Sequence, residues 1–131
     1  MTQTTQVREL TDKLRAAAAA ADLRLRGVIV CGDFNFAAGS DEARENLVAL
    51  GPSFEDLLAN NVAAVHTFPL GAWRWGRYAR RKPNVRLDYV CAQVDGAPSG
   101  VAAAEPEMAH DDQYNFLSDH APVTAVIALS E

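Results

Sequence analysis

Three kinds of side chain in this sequence could do chemistry together. Asp33 and Asn35 sit one residue apart, directly after the apolar run Val28-Ile29-Val30-Cys31 and Gly32. Asp88 follows Arg86-Leu87 at the head of a second apolar run, and Asp119-His120 stands just before a third. Carboxylate and amide oxygens are hard donors that suit a divalent cation such as Mg²⁺. A histidine can gain or lose a proton near neutral pH. An acid and an amide at the carboxyl end of a strand are well placed to meet a ligand outside a sheet. In extended chain such a pair shares one face, about 6–7 Å apart. Asp, Asn and Gly are equally the residues of an ordinary solvated turn. His120 by itself reads as readily as a satisfied structural histidine.

A second cluster is basic and aromatic. Phe68, Trp73, Trp75 and Tyr78 alternate with Arg74, Arg77, Arg80, Arg81 and Lys82. With Arg86, these account for six of the twelve Lys and Arg residues of a chain whose net charge is −5. Concentrated positive charge favours an anion or a nucleic-acid backbone as neighbour, and aromatic faces offer stacking. A solubilising loop is the alternative on charge alone, though exposed indoles are then unexplained. His66 and His110 have no chemical neighbours in sequence and read as structural or surface residues.

The elements that must position these groups follow from periodicity. Thr5 to Asp22 reads as a helix, with Val7, Leu10, Leu14, Ala17, Ala18 and Ala21 on one apolar stripe. Val28–Cys31 is a short buried strand. Ser40 or Asp41 caps a helix from Glu42 to Leu50, which Gly51-Pro52 stops. Ser53 opens another, with Asp56 as its capping acid and Phe54, Leu57 and Leu58 as its apolar face. Val62–Val65, Leu87–Val94, Val101–Met108 and Ala121–Leu129 read as further strands, with Pro106 marking an edge or bulge.

The bulk numbers bound the class. The chain has 131 residues, 49% hydrophobic and 22% charged, which fits one soluble domain. The acidic balance argues against nucleic-acid binding by the whole surface. Cys31 and Cys91 both lie in apolar runs and read as reduced core thiols. The sequence has no apolar run of membrane-spanning length and no basic stretch leading into an apolar signal core, so the cytoplasm is the expected compartment.

Gly32-Asp33-Phe34-Asn35, Arg86-Leu87-Asp88-Tyr89 and Ser118-Asp119-His120-Ala121-Pro122-Val123, in that order, resemble the carboxyl-terminal half of the endonuclease/exonuclease/phosphatase superfamily. This group contains DNase I-like nucleases, abasic-site endonucleases, neutral sphingomyelinases and inositol-polyphosphate 5-phosphatases. The resemblance spans about Arg8 to Leu129. It implies an α/β fold: half of a DNase I-like α/β sandwich, with a mixed, mostly antiparallel sheet and helices on one face. It implies a Mg²⁺-dependent phosphodiester hydrolase, with Mn²⁺ as an alternative ion, acting on a phosphodiester substrate, foremost nucleic acid.

By the same resemblance, Asp33 positions the attacking water or protonates the leaving oxygen, and shares the metal site with Asp119. Asn35 donates to the scissile phosphate. Asp88 orients His120, the general base or cationic stabiliser. Thr67 and Phe68 resemble a substrate-side segment. Phe68, Trp73, Arg74, Trp75, Arg77, Arg80, Arg81 and Arg86 are the expected substrate contacts.

The family's other half supplies a strand-borne asparagine and a glutamate metal ligand. Here the one glutamate before Asp33 is Glu9, on the expected first helix. The chain therefore reads as a partial domain. Three readings follow: a truncated form with little activity alone, a non-enzymatic phosphate- or nucleic-acid-binding remnant, or one half of a split enzyme. A half sandwich also leaves an apolar sheet face uncovered, so self-association or a partner through that face is expected.

Overall fold

The strand β3 (Asp88–Val94) carries the architecture. Its side chains alternate between two apolar layers, so it reads as a strand buried on both faces. The computed structural model describes residues 2–59, 67–68, 85–95, 99–104 and 120–129, with 99 and 101 through their backbone only. The order is α1 (Gln3–Ala20), β1 (Gly27–Asp33), α2 (Asp41–Leu50), β2 (Glu55–Asp56), β3, β4 (Ser99–Ala104) and β5 (Val123–Ala128). β1, β3 and β2 form one antiparallel sheet in that order, and β4 pairs β5 in a second.

On one face of β3, Tyr89 and Cys91 pack with Phe36, Ala43 and Leu50, and with the half-buried Val7, Val30 and Leu47. These residues place α1 and α2 over that face. On the other, Val90 and Ala92 pack with Leu57, Leu58 and Ala102, backed by Val123 and Ile127 of the second sheet. The result is an α/β sandwich of two antiparallel sheets with helices on one side. Gly100 allows the close approach of the sheets: a Cβ there would lie 2.9 Å from Leu57 Cδ1.

The elements largely follow the expected pattern, and the departures have causes. α1 begins at Gln3, where the Thr2 side chain accepts from the Thr5 amide. Of the expected stripe, Ala18 is buried and Val7 packs half-buried on the core, but Leu10 and Leu14 remain 63% and 51% exposed, and Thr4 and Thr11 are buried as well. The helix is turned this way because Thr4 Oγ1 donates to Asn46 Oδ1 of α2 at 2.6 Å. α2 starts one residue earlier than expected, with Ser40 accepting from the Ala43 amide at 3.0 Å.

The helix expected from Ser53 does not form. Glu55 and Asp56 pair with Ala92 and Cys91 instead, and the Leu57 amide donates to Val90. A distant cation, Arg86, takes the Asp56 carboxylate, which local capping logic could not foresee. Leu57 and Leu58 are consecutive and both buried, on the turn that follows.

Cys31 corrects the expectation of two core thiols: Cys91 is buried, but Cys31 is exposed. In the register, Ile29 faces Ala92 and Cys31 faces Val90. They therefore belong to the face that β4 and β5 cover over β3, yet Ile29 stays 54% exposed. β4 begins at Ser99, two residues before the expected Val101, and residues 105–108 of that expected run lie outside the described residues; β5 is shorter at both ends than the expected Ala121–Leu129. The expected strand Val62–Val65, with His66, Pro106 and His110, lies outside the described residues. Among the described residues, no helix is long and apolar enough to cross a membrane.

Candidate active site

Three chain segments bring the candidate residues to one end of the sandwich. β1 and β3 run antiparallel, so the last residue of β1 meets the first of β3: Asp33 pairs with Asp88. His120 lies three residues before β5. Its Nδ1 is 2.8 Å from Asp88 Oδ2, and its Nε2 is 3.8 Å from Asp33 Oδ2. Like charges directly opposite each other on adjacent strands are unfavourable. The imidazole between them is hydrogen-bonded to one of the two, Asp88. The Asp88 partner makes Nδ1 the donor nitrogen and turns Nε2 toward Asp33. The 3.8 Å gap is too long for a direct hydrogen bond and is a span that a water or substrate oxygen can bridge.

Exposure falls off across the cluster. The side chains of Asp33, His120 and Asp88 are 36%, 24% and 16% exposed, in that order. Asp88 is thus the anchor and Asp33 the group that meets solvent. An open cleft of about 370 Å³ lies beside them, lined by Cys31, Gly32, Asp88, Tyr89, Val90 and residues 120–123.

Asn35 does not continue the extended chain beyond Asp33. Its φ is 58°, and its amide donates to Asp33 Oδ1 at 2.8 Å. Asparagine tolerates this left-handed conformation better than most residues. The turn reading and the site reading of this stretch are therefore compatible: the turn fixes one Asp33 oxygen and leaves the other facing His120. Gly32 has φ 150°, which L side chains rarely adopt, and its Cβ position is open space. The backbone, not crowding, demands glycine there. The loop after β1 is held by the Phe34 amide on Leu87 O and the Ala38 amide on Arg86 O, both 2.9 Å. Beneath it, Phe34 stacks on Tyr89 with centroids 5.2 Å apart, and Tyr89 donates to Phe36 O.

Arg86 departs from its expected role as a substrate contact. Its guanidinium donates to both oxygens of Asp56, at 3.1 and 2.6 Å, and lies 4.3 Å from the Tyr89 ring centroid. The two side chains of the pair are 8% and 7% exposed. Arg86 is a buried structural cation, and nothing near it in sequence marks its partner, thirty residues away. Phe68 is half-buried, with its ring 4.8 Å from that of His120. Thr67, expected only as part of a substrate-side segment, is fully buried and accepts from the Leu87 and Asp88 amides. Its resemblance to a substrate-side segment was the one signal that could have found it. Asp119, Trp73, Arg74, Trp75, Arg77, Arg80 and Arg81 lie outside the described residues.

The donor set around the cluster suits a hard cation: carboxylate and amide oxygens from Asp33 and Asn35, with no sulfur ligand required. Among the described residues, no group of three or more His, Cys, Asp or Glu side chains is arranged as a metal site.

Comparison with known proteins bears on the fold and the family. A crystal structure of humanized D. rerio TDP2, made by 14 mutations, matches with a TM-score of 0.51 and 19% identity. The match covers 97% of this chain and 51% of that one, so this chain spans about half the length of the solved chain. At that identity the likeness shows the fold, a DNase I-like α/β sandwich. No curated protein matches the sequence. The sequence pattern of the Endonuclease/Exonuclease/phosphatase family matches residues 3–120, which takes in Asp33, Asp88 and His120. The chain belongs to the Endonuclease/Exonuclease/phosphatase family.

Proposed function

We propose that this chain hydrolyses phosphodiester bonds, with Asp33, Asn35, Asp88 and His120 as its reacting and binding groups. The observation that carries the reading is the His120 imidazole held by Asp88 at 2.8 Å while its other nitrogen faces Asp33 beside an open cleft. Hydrolysis needs a proton taken from water, a proton delivered to the leaving oxygen, and relief of charge on the phosphate. His120, oriented by Asp88, handles a proton at Nε2 as general base or holds positive charge against the phosphate. Asp33 orients the attacking water or protonates the leaving oxygen through Oδ2. Asn35 donates its side-chain amide to a non-bridging oxygen.

Two carboxylates facing an anionic substrate call for added positive charge. Asp33 and Asp119 would hold Mg²⁺, or Mn²⁺ in its place. When bound, such an ion would screen the phosphate oxygens and lower the pKa of a coordinated water. Nucleic acid is the favoured substrate. The six basic residues from Arg74 to Arg86 include one, Arg86, that is committed to Asp56, which leaves five beside Trp73 and Trp75. That composition supports a phosphate backbone with stacked bases. The expected compartment is the cytoplasm.

The test is Mg²⁺-dependent hydrolysis of bis-p-nitrophenyl phosphate and of a short oligonucleotide, with Asp33→Ala and His120→Ala as controls. General acid–base groups of this kind contribute about 10²–10⁴-fold. Turnover no higher than in the controls rejects the reading.

A second reading is that the chain binds phosphate-rich partners without turnover, or that hydrolysis needs a further polypeptide carrying the rest of the family fold. The exposure of Ile29 on β1, with Leu10 and Leu14 on α1, favours it. Ile29 lies on the face of β1 that the second sheet leaves open, and the leucines lie on the helix side. Turnover gained on adding such a polypeptide would select this reading, as would self-association in sedimentation.

A further inference from the structure

We propose that Thr67 is the positioning residue for the His120–Asp88 pair, setting the direction of both side chains through hydrogen bonds to the two segments that carry them. The inference rests on the reading of that pair as the hydrolytic dyad. Thr67 has no solvent exposure. Its hydroxyl oxygen accepts from two consecutive amides, Leu87 at 3.0 Å and Asp88 at 3.2 Å. A hydroxyl has two acceptor lone pairs, and the entry to β3 uses both. Two adjacent N–H groups aimed at one point fix the backbone dihedrals between them, and with them the direction of the Asp88 side chain. The Thr67 carbonyl accepts from the Ala121 amide at 2.8 Å, directly after His120. The Thr67 amide donates to Val85 O at 3.0 Å.

One buried residue therefore touches the segment bearing the acid and the segment bearing the histidine. The next residue completes the arrangement. Phe68 makes a two-way backbone bridge to Val85, at 3.0 and 2.8 Å, and its ring packs on the imidazole. Threonine is also an economical choice. Valine would fill the same space but leave the Leu87 and Asp88 amides without this acceptor, whereas serine would keep the oxygen.

The experiment compares Thr67→Val and Thr67→Ser with the wild-type chain by two readouts. The first is the downfield Nδ1 proton resonance of a carboxylate-bonded imidazole, assigned by its loss in Asp88→Asn. The second is kcat and KM for bis-p-nitrophenyl phosphate. Displacement of a reacting group by about 1 Å costs on the order of a hundredfold. The expected result is loss of the resonance and about that fall in kcat for Thr67→Val, with KM little changed. Thr67→Ser retains both. A folded Thr67→Val variant that keeps the resonance and kcat overturns the proposal and leaves the dyad reading intact. Wild-type protein without an Asp88-dependent resonance overturns both. Wild-type protein that shows the resonance but no turnover rejects the hydrolytic reading, while loss of the resonance in Thr67→Val still upholds the positioning role. If Thr67→Val does not fold, Thr67→Cys, with a weaker acceptor of similar size, is read on the same resonance. A weakened signal is expected, and an unchanged one overturns the proposal.

Discussion

Replacing Arg86 with methionine keeps most of the aliphatic stem and removes the guanidinium. Asp56, 7% exposed in the intact pair, then has no counter-charge of its own. Two hydrogen bonds to a charged group are lost, at 3.1 and 2.6 Å, together with the cation held 4.3 Å from the Tyr89 ring centroid. Breaking one side of a buried ion pair costs about 3–5 kcal/mol, mostly as the penalty of the abandoned charge. For a 131-residue chain the whole stability is on the order of 7–20 kcal/mol, so the loss is a large share. With a urea dependence of about 2 kcal/mol per molar, a 4 kcal/mol loss moves the midpoint by about 2 M. Urea unfolding followed by far-ultraviolet circular dichroism measures this. Asp56→Asn in the Arg86→Met background should recover much of the loss, because it removes the stranded charge. A midpoint within about 0.3 M of wild type would refute the reasoning. A raised KM for a phosphodiester at unchanged stability would return Arg86 to the substrate surface.

Gly100→Ala should cost about 1–3 kcal/mol, because the new Cβ meets Leu57 Cδ1 and Cδ2 at 2.9 and 3.1 Å. The same change should cost much less in a Leu57→Ala background, and a double-mutant cycle by urea unfolding measures the difference. Stability should also fall at alkaline pH. Burial pushes Tyr89 up from 10.0 to about 12 and Cys91 up from 9.0 to about 12. The folded chain holds those protons after the unfolded chain has begun to release them. The contribution is thus complete below pH 9 and is lost between about 9 and 12. Unfolding midpoints measured from pH 8 to 11 should decline, and Cys91→Ala should delay the onset toward pH 10.

The clustering of Asp33, Asp88 and His120 was more legible in sequence than the packing. Asp33, Asp88 and His120 stood at the ends of apolar runs whose type was plain from length and branching. Antiparallel pairing of two of those runs then brought the acids together. Local chemistry also marked the Ser40 cap of α2. What failed depended on contacts distant in sequence. Asp56 resembled a helix cap until Arg86 claimed it. Val7 and Ala18 of the expected α1 stripe pack inward, but Leu10 and Leu14 do not, while Thr4, bonded to Asn46, and Thr11 take buried places. Cys31 looked like core because it ends an apolar strand, yet the second sheet covers β3 and leaves β1 partly open. Thr67 gave no signal in its own type: its value lies in amides twenty residues away. Periodicity reports which residues are apolar, while tertiary pairing decides which are used.

The central claim is that Asp88 and His120 act as one unit in phosphodiester hydrolysis. Its most direct test is a kinetic double-mutant cycle, with Asp88→Ala, His120→Ala and both together, on Mg²⁺-dependent hydrolysis of bis-p-nitrophenyl phosphate. Residues that act as a unit are strongly non-additive. The account predicts that His120→Ala lowers kcat by about 10²–10⁴-fold and that adding Asp88→Ala costs little more. Additive losses, or a His120→Ala variant with wild-type kcat, would contradict it.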